Sequence, residues 1–145
     1  VRTLEEIIQA PLRLYSFVNY YLSDLQRGLQ TAHLVSELFD KYQYSSAGAA
    51  HSLSNWAHCG KTIIILNGGN CYGLSCIHDV LEEKNCGYPF DFFTEDAASL
   101  NGALTCVGVI FPEFSREELE QFAHIPDNTD NFIDIMRLIR SYPLA

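Results

Sequence analysis

Thr62-Ile63-Ile64-Ile65-Leu66, followed by Asn67-Gly68-Gly69-Asn70 and then by a helix-forming segment over 71–84, decides the fold class of this chain. The first five residues run as a continuous apolar stretch rich in β-branched side chains. That is the pattern of a central strand buried on both faces. The Asn and Gly residues read as a turn. Leu74, Ile77, Val80 and Leu81 then recur three and four apart, which puts them on the inner face of a helix. Asn85-Cys86-Gly87 ends that helix, with Gly87 suited to the left-handed position beyond a helix C-terminus.

Working outward, the same alternation repeats on both sides. Tyr88 to Phe93 and Ala103 to Phe111 read as strands separated by a loop over 94–102. Phe114-Ser115-x-x-Glu118-Leu119 combines a capping box with a hydrophobic staple and opens a helix expected to end near His124. Phe132, Ile135, Met136 and Ile139 mark the inner face of a last helix, about 129–141, stopped before Pro143. Upstream, Thr3-x-x-Glu6 caps a short first helix, about 3–10, which Pro11 stops. Leu12 to Val18 suits a buried strand, and Ser23-x-x-Gln26 is a capping box for a long helix that runs to about Tyr42. Ser45 to Ala50 reads as a loop, and Ser52 to His58 as a short helical piece carrying Trp56. Strands alternating with helices imply an α/β sandwich around a small, mostly parallel sheet in a single domain spanning 1–145.

The chain has 145 residues and is 48% hydrophobic, enough for a real core in one domain. Its net charge of −9 and nine Lys and Arg exclude a broad nucleic-acid surface, because phosphate contacts need cations. The apolar runs are all too short to span a membrane, so no membrane association is expected. Val1 to Glu6 is not the apolar core of a signal peptide. Five Cys, an odd number without a regular framework, are expected to be reduced thiols of a cytoplasmic protein.

The long helix carries the most informative polar pattern. At about 100° per residue, Gln26, Gln30, His33 and Glu37 fall within roughly 60° of arc. Leu25, Leu29, Ala32, Val35, Leu38 and Phe39 fill most of the remainder. Gly28 inside this helix costs roughly 1 kcal/mol against Ala, which suggests close approach of another backbone or a ligand. Open α/β sheets place ligands at strand ends, where the start of this helix and Glu95-Asp96-Ala97-Ala98-Ser99 are both expected. Two arrangements fit the spacing. In one, Asp96 faces Gln30 or His33 and orients water or a polar substrate. In the other, Asp96 caps a turn while Gln30 and His33 face solvent.

Weaker patterns point to simpler roles. Cys71-x4-Cys76-x-His78 with Cys86 lacks the paired Cys-x2-Cys of a zinc knuckle, and Cys76 and Cys86 are expected to pack as small apolar residues. His58-Cys59 are sequence neighbours, a poor geometry for a nucleophile and its base. Asn67 to Asn70 has no Lys, Ser or Thr directly after it to complete an anion cradle. Tyr15, Tyr20 and Tyr21 read as core and rim packing rather than as a base-stacking platform. No metal and no cofactor are expected.

Four motifs in order resemble the type 2 peptidyl-tRNA hydrolase family. Gln30-Thr31-Ala32-His33 matches that family's Gln-x-x-His on its first long helix. Trp56-Ala57-His58-Cys59-Gly60 before the strand at 62–66 is similar to its Trp-x-x-Cys-Gly. Glu95-Asp96-Ala97 resembles its Asp-Ala-Gly loop, and Thr105 to Pro112 its final strand, Thr-x-x-Gly-Ile-Gly-Pro. The agreement covers roughly residues 13 to 124. The resemblance implies a three-layer α/β/α sandwich with a small mixed four-stranded sheet. It implies hydrolysis of the ester between peptide and tRNA, with Gln30, Asp96 and Thr105 as catalytic positions and Gln26, Arg27 and His33 as substrate-binding ones.

The family's catalytic Lys has no counterpart: Gln26 stands four before Gln30, and the nearest cation, Arg27, lies about 100° around the helix. Ala98 replaces the loop Gly, and the path to Thr105 is about three residues shorter. The Gly-Lys-rich entry to the helix is replaced by Ser23-Asp24-Leu25-Gln26. An ammonium near the ester would stabilise a developing oxyanion, and its loss could cost orders of magnitude in rate. Peptidyl-tRNA is the substrate that the resemblance implies, and the net charge counts against it. The alternative is a catalytically degenerate relative that binds a protein or small molecule at the same cleft. The first and last helices, outside the family core, would then offer an interface to a protein partner or, in a homodimer, to a second copy.

Overall fold

The computed structural model of this protein describes residues 1–45, 48–95 and 102–145. Strands β1 (Leu12–Asn19), β2 (Ile63–Gly69), β3 (Phe90–Thr94) and β4 (Leu104–Pro112) form one sheet in the order β2-β1-β4-β3. Of the paired strands, β1 and β2 are parallel, while β4 is antiparallel to both β1 and β3. The mostly parallel sheet expected from element alternation is therefore corrected to a mixed one. A parallel return needs a crossover of a dozen or more residues, and only nine separate Thr94 from Leu104.

The helices are α1 (Leu4–Ile8), α2 (Asp24–Tyr42), α3 (Gly48–His58), α4 (Cys71–Lys84), α5 (Arg116–Glu120) and α6 (Asn131–Arg140). Two apolar clusters flank the sheet and make three layers. On one face Leu14, Val18 and Ile110 of the strands pack with Leu34 and Leu38 of α2 and Leu53 and Trp56 of α3. On the other, Phe17, Val107 and Phe111 pack with Leu74 and Ile77 of α4 and Ile135 and Met136 of α6. Lys84 of α4 and Asp134 of α6 form a buried ion pair at 2.9 Å, with Asn128 also accepting from Lys84.

Several local expectations change. Thr62–Leu66 was read as a central strand, but β2 lies at the sheet edge and Ile63 is exposed. A short apolar run identifies a strand without fixing its rank in the sheet, and here the outer edge is partly covered by the C-terminal tail. Asn67 N–H donates to the Pro143 carbonyl at 2.8 Å and Ala145 N–H to the Ile65 carbonyl at 3.0 Å. α3 starts at Gly48, inside the expected loop, because Ala49 joins Leu53 and Trp56 on its buried face. The helix expected to reach His124 keeps its capping box, with Glu118 N–H donating to Ser115 Oγ, but ends as helix at Glu120. Cys76 and Cys86, expected to pack inside, are exposed; Cys106 is the buried thiol.

The approach of α2 to the sheet rests on Gly108 of β4. A Cβ there would lie 2.4 Å from Leu34 Cδ2 and 3.0 Å from the Tyr15 carbonyl oxygen. At Gly28 the expected close approach is absent, since a Cβ would meet nothing within 4 Å.

Candidate functional site at one end of the sheet

Because β1, β2 and β3 point the same way and β4 points back, one end of the sheet gathers the ends of the first three strands and the start of the fourth. The N-termini of α2 and α4 open at this end, after β1 and β2. Ligands of open α/β sheets bind at the carboxyl ends of such parallel strands.

Two irregularities in the ladder lie at this same end. Phe93 pairs with Cys106 but Thr94 pairs with Leu104, so Thr105 is an extra residue on β4. Val18 pairs with Asn67 but Asn19 pairs with Gly69, so Gly68 is extra on β2. Bulges re-aim side chains. In regular alternation Thr105 would share the face of Val107 and Val109, against α4 and α6. It instead reaches α2: Thr105 Oγ1 donates to Gln30 Oε1 at 2.9 Å and lies 3.3 Å from the Phe93 carbonyl.

Gln30 is thereby held at both ends of its amide. Its Nε2 donates to Glu95 Oε2 at 2.9 Å, while its Oε1 accepts from Thr105. Gln30 is 5% exposed and Thr105 is fully buried. The next residue, Thr31, continues the polar seam: Ser16 Oγ lies 2.8 Å from Thr31 Oγ1 and 3.1 Å from Cys106 Sγ. Burial pushes the Cys106 thiol up to about 12, so it stays neutral.

The arc of Gln26, Gln30, His33 and Glu37 is thus split by its surroundings. The buried side of α2 is Gln30, Thr31, Leu34 and Leu38, while Leu25 and Leu29, expected to help fill its apolar side, are exposed. Gln26 is exposed and its side chain closes the cap, with Ser23 N–H donating to Gln26 Oε1 at 2.9 Å. Arg27 pairs with Asp24 at 3.2 Å, and its Nε is buried without a partner among the described residues. His33 stacks on Phe93, with ring centroids 4.6 Å apart. The structure brings Gln30 and Thr105 together; Asp96 lies outside the described residues.

Glu95 and Asn19 are members of this site that sequence reasoning did not select. Glu95 stood in the quoted Glu95-Asp96-Ala97 stretch, one position before the residue chosen. Asn19 is fully buried at the end of β1, where its Nδ2 donates to the Leu104 carbonyl at 3.2 Å and its Oδ1 has no partner among the described residues. A polar residue closing an apolar strand was its only sequence signal. An unsatisfied buried acceptor costs about 1–3 kcal/mol.

The other patterns resolve into structural roles. Asn70 caps α4, accepting from Gly73 N–H at 2.9 Å, so the Asn-Gly-Gly-Asn stretch ends β2 and starts a helix. His58 Nδ1 lies 2.7 Å from the Ser54 carbonyl rather than against Cys59. Among the described residues, the three side chains whose ligand atoms lie within 4.8 Å of one another are His78, Asp79 and Glu82, without a cysteine. No protein-family model matches the chain, and no curated protein matches it.

Proposed function

We propose that this protein is a divergent, catalytically degenerate relative of the type 2 peptidyl-tRNA hydrolases that binds an apolar peptide segment of a partner protein at the Gln30 end of the sheet. The observation that carries this reading is the closure of the Gln30 amide between Thr105 and Glu95, both of its ends being taken by neutral or acidic side chains. Ester hydrolysis needs a donor for the developing oxyanion and a group that activates water. Gln26, at the position where the resemblance implies a lysine, is uncharged and engaged in the helix cap. Arg27 is directed to Asp24.

Binding asks for less. Tyr20, Tyr21, Leu25 and Leu29 are all exposed around the start of α2, an apolar surface that suits the peptide half of a peptidyl-tRNA. The net charge of −9 disfavours the tRNA half. Five unpaired thiols support a reducing, cytoplasmic setting. A second reading, retained hydrolysis, is favoured by the 2.9 Å contact between Gln30 and Thr105, two positions to which the resemblance assigns chemistry.

The test has two arms. Release of N-acetyl amino acid from N-acetyl-aminoacyl-tRNA is expected to match the buffer blank with the wild-type chain. Titration of an acetylated Leu-Phe-Leu amide is expected to shift the Gln30 side-chain amide and the Leu29 methyl NMR signals. Turnover that Thr105→Val abolishes establishes the hydrolase reading instead. Absence of any shift at millimolar peptide overturns the binding reading.

A further inference from the structure

A cleft of about 590 Å³ opens on the face of the sheet opposite α2, between β2 and the segment that follows α6. That volume lies within the roughly 300–1,000 Å³ range of small-molecule sites. Its apolar walls include Ile64 and Leu66 of β2, Phe114, and Tyr142. The C-terminal tail that closes it is fastened to β2 through the Leu66–Leu144 bridge and the Asn67 and Ala145 hydrogen bonds.

Tyr15, Arg116 and Arg140 line this cleft, beside Ser141, whose hydroxyl is taken up by the Arg137 carbonyl at 2.7 Å. Tyr15 is 5% exposed. Its hydroxyl has no hydrogen-bond partner among the described residues, yet it is not among the fully buried unsatisfied atoms. The oxygen is therefore the part of Tyr15 that meets the cleft. Burial holds its phenol up at about 12, so it remains a neutral donor at pH 7.

The arginines are set apart by how the other cations are used. Arg2, Arg13, Arg27, Lys84 and Arg137 each pair with a carboxylate, and Lys41 binds the Phe90 carbonyl. The side chains of Lys61, Arg116 and Arg140 have no ion-pair or hydrogen-bond partner among the described residues. In a chain with 18 acidic residues and nine Lys and Arg, two of the three unpartnered cations line one cleft.

We propose that this cleft binds a small organic anion, a carboxylate or a phosphate monoester on an aromatic or aliphatic body. Arg116 and Arg140 receive the anion, the Tyr15 hydroxyl donates to it, and the apolar body lies against Leu66, Phe114 and Tyr142. Guanidinium groups match both anions through paired N–H donors. This site is separate from the Gln30 end of the sheet and does not depend on the reading given for it.

Isotope-edited NMR and calorimetry with phenyl phosphate, benzoate, inorganic phosphate and benzyl alcohol test the proposal. Phenyl phosphate or benzoate is expected to shift signals of Tyr142 and Leu144, and the tighter of the two identifies the anion class. Inorganic phosphate, which lacks the body, and benzyl alcohol, which lacks the charge, are each expected to bind at least about 10-fold more weakly. Arg116→Gln and Arg140→Gln should each weaken the organic anion roughly 10-fold. Lys61→Gln, a charge control outside the cleft, should leave it unchanged, and all three variants should keep the wild-type urea midpoint. Equal binding of benzyl alcohol, an equal loss in Lys61→Gln, or no binding of either organic anion at millimolar concentration overturns the proposal.

Discussion

Thr105 Oγ1 donates to Gln30 Oε1 across 2.9 Å, from a strand position that regular alternation would have turned to the opposite face of the sheet. The extra residue in β4 is what joins these two side chains. Removing the hydroxyl leaves Gln30 Oε1 buried without this donor. Thr105→Val is expected to lower stability by about 1–3 kcal/mol in urea denaturation, with Thr105→Ser restoring most of it. A loss in Thr105→Val below about 0.5 kcal/mol would show that the bond contributes little in solution.

Gly28 sits inside α2 with open space where a Cβ would go. Nothing in the packing requires glycine there, and its backbone freedom weakens the helix. Gly28→Ala is expected to stabilise the protein by about 0.5–1 kcal/mol. A lower thermal midpoint in the variant would contradict the geometry of this helix.

Asp134 holds the buried Lys84 ammonium between α4 and α6. Asp134→Ala leaves that charge without its carboxylate and is expected to cost about 3–5 kcal/mol. The double variant Lys84→Met with Asp134→Leu removes both charges and should recover most of the loss. A double variant as unstable as the single one would show that the pair contributes more than the relief of a stranded charge.

Glu118 takes a bidentate contact from Arg2, with Nε at 2.6 Å and Nη2 at 2.8 Å. This contact draws its carboxyl down from 4.5 to about 2. A carboxyl whose folded value lies below its unfolded value stabilises the fold above the unfolded value and loses that contribution as pH falls through the folded one. Stability should therefore decline between about pH 4.5 and pH 2 as Glu118 protonates. Arg2→Ala should flatten that part of the profile, measured by urea midpoints across the range. An unchanged slope would assign the acid sensitivity to other carboxylates.

Cys106 is buried beside Ser16, while Cys59, Cys71, Cys76 and Cys86 are exposed. Thiolates are the reactive species, and burial keeps Cys106 as a thiol. Native protein treated with iodoacetamide at pH 8 should carry label on the four exposed thiols and take up the fifth only in denaturant. Mass spectrometry of peptides reads this directly, and early labelling of Cys106 would show that its face of the sheet opens in the native state.

The existence and type of most elements were legible in the sequence. Capping boxes at Thr3, Ser23 and Ser115 mark true helix starts, because each satisfies backbone N–H groups within one turn of chain. The apolar run from Ile63 to Leu66 is a strand, which continues to Gly69 through residues read as a turn, and Leu74 with Ile77 is the inner face of the following helix. Gln30 was selected as a site residue and lies in the polar seam. These features depend on neighbours a few residues apart, which the linear order supplies.

Sequence by itself therefore determined the α/β class, the succession of helices and strands, and the excess of negative charge. Tertiary structure alone decided that β2 takes an edge, that β4 returns antiparallel, and that the buried side of α2 includes Gln30 and Thr31 while Leu25 and Leu29 face out. The apolar periodicity of α2 pointed to a different face because it counts side chains on one helix only. Gln30 and Thr31 are buried because Thr105, Glu95 and Ser16 supply their hydrogen-bond partners from distant parts of the chain. A polar group enters a core when its partner is already there, and a register shift of one residue at Thr105 is what puts that partner in reach.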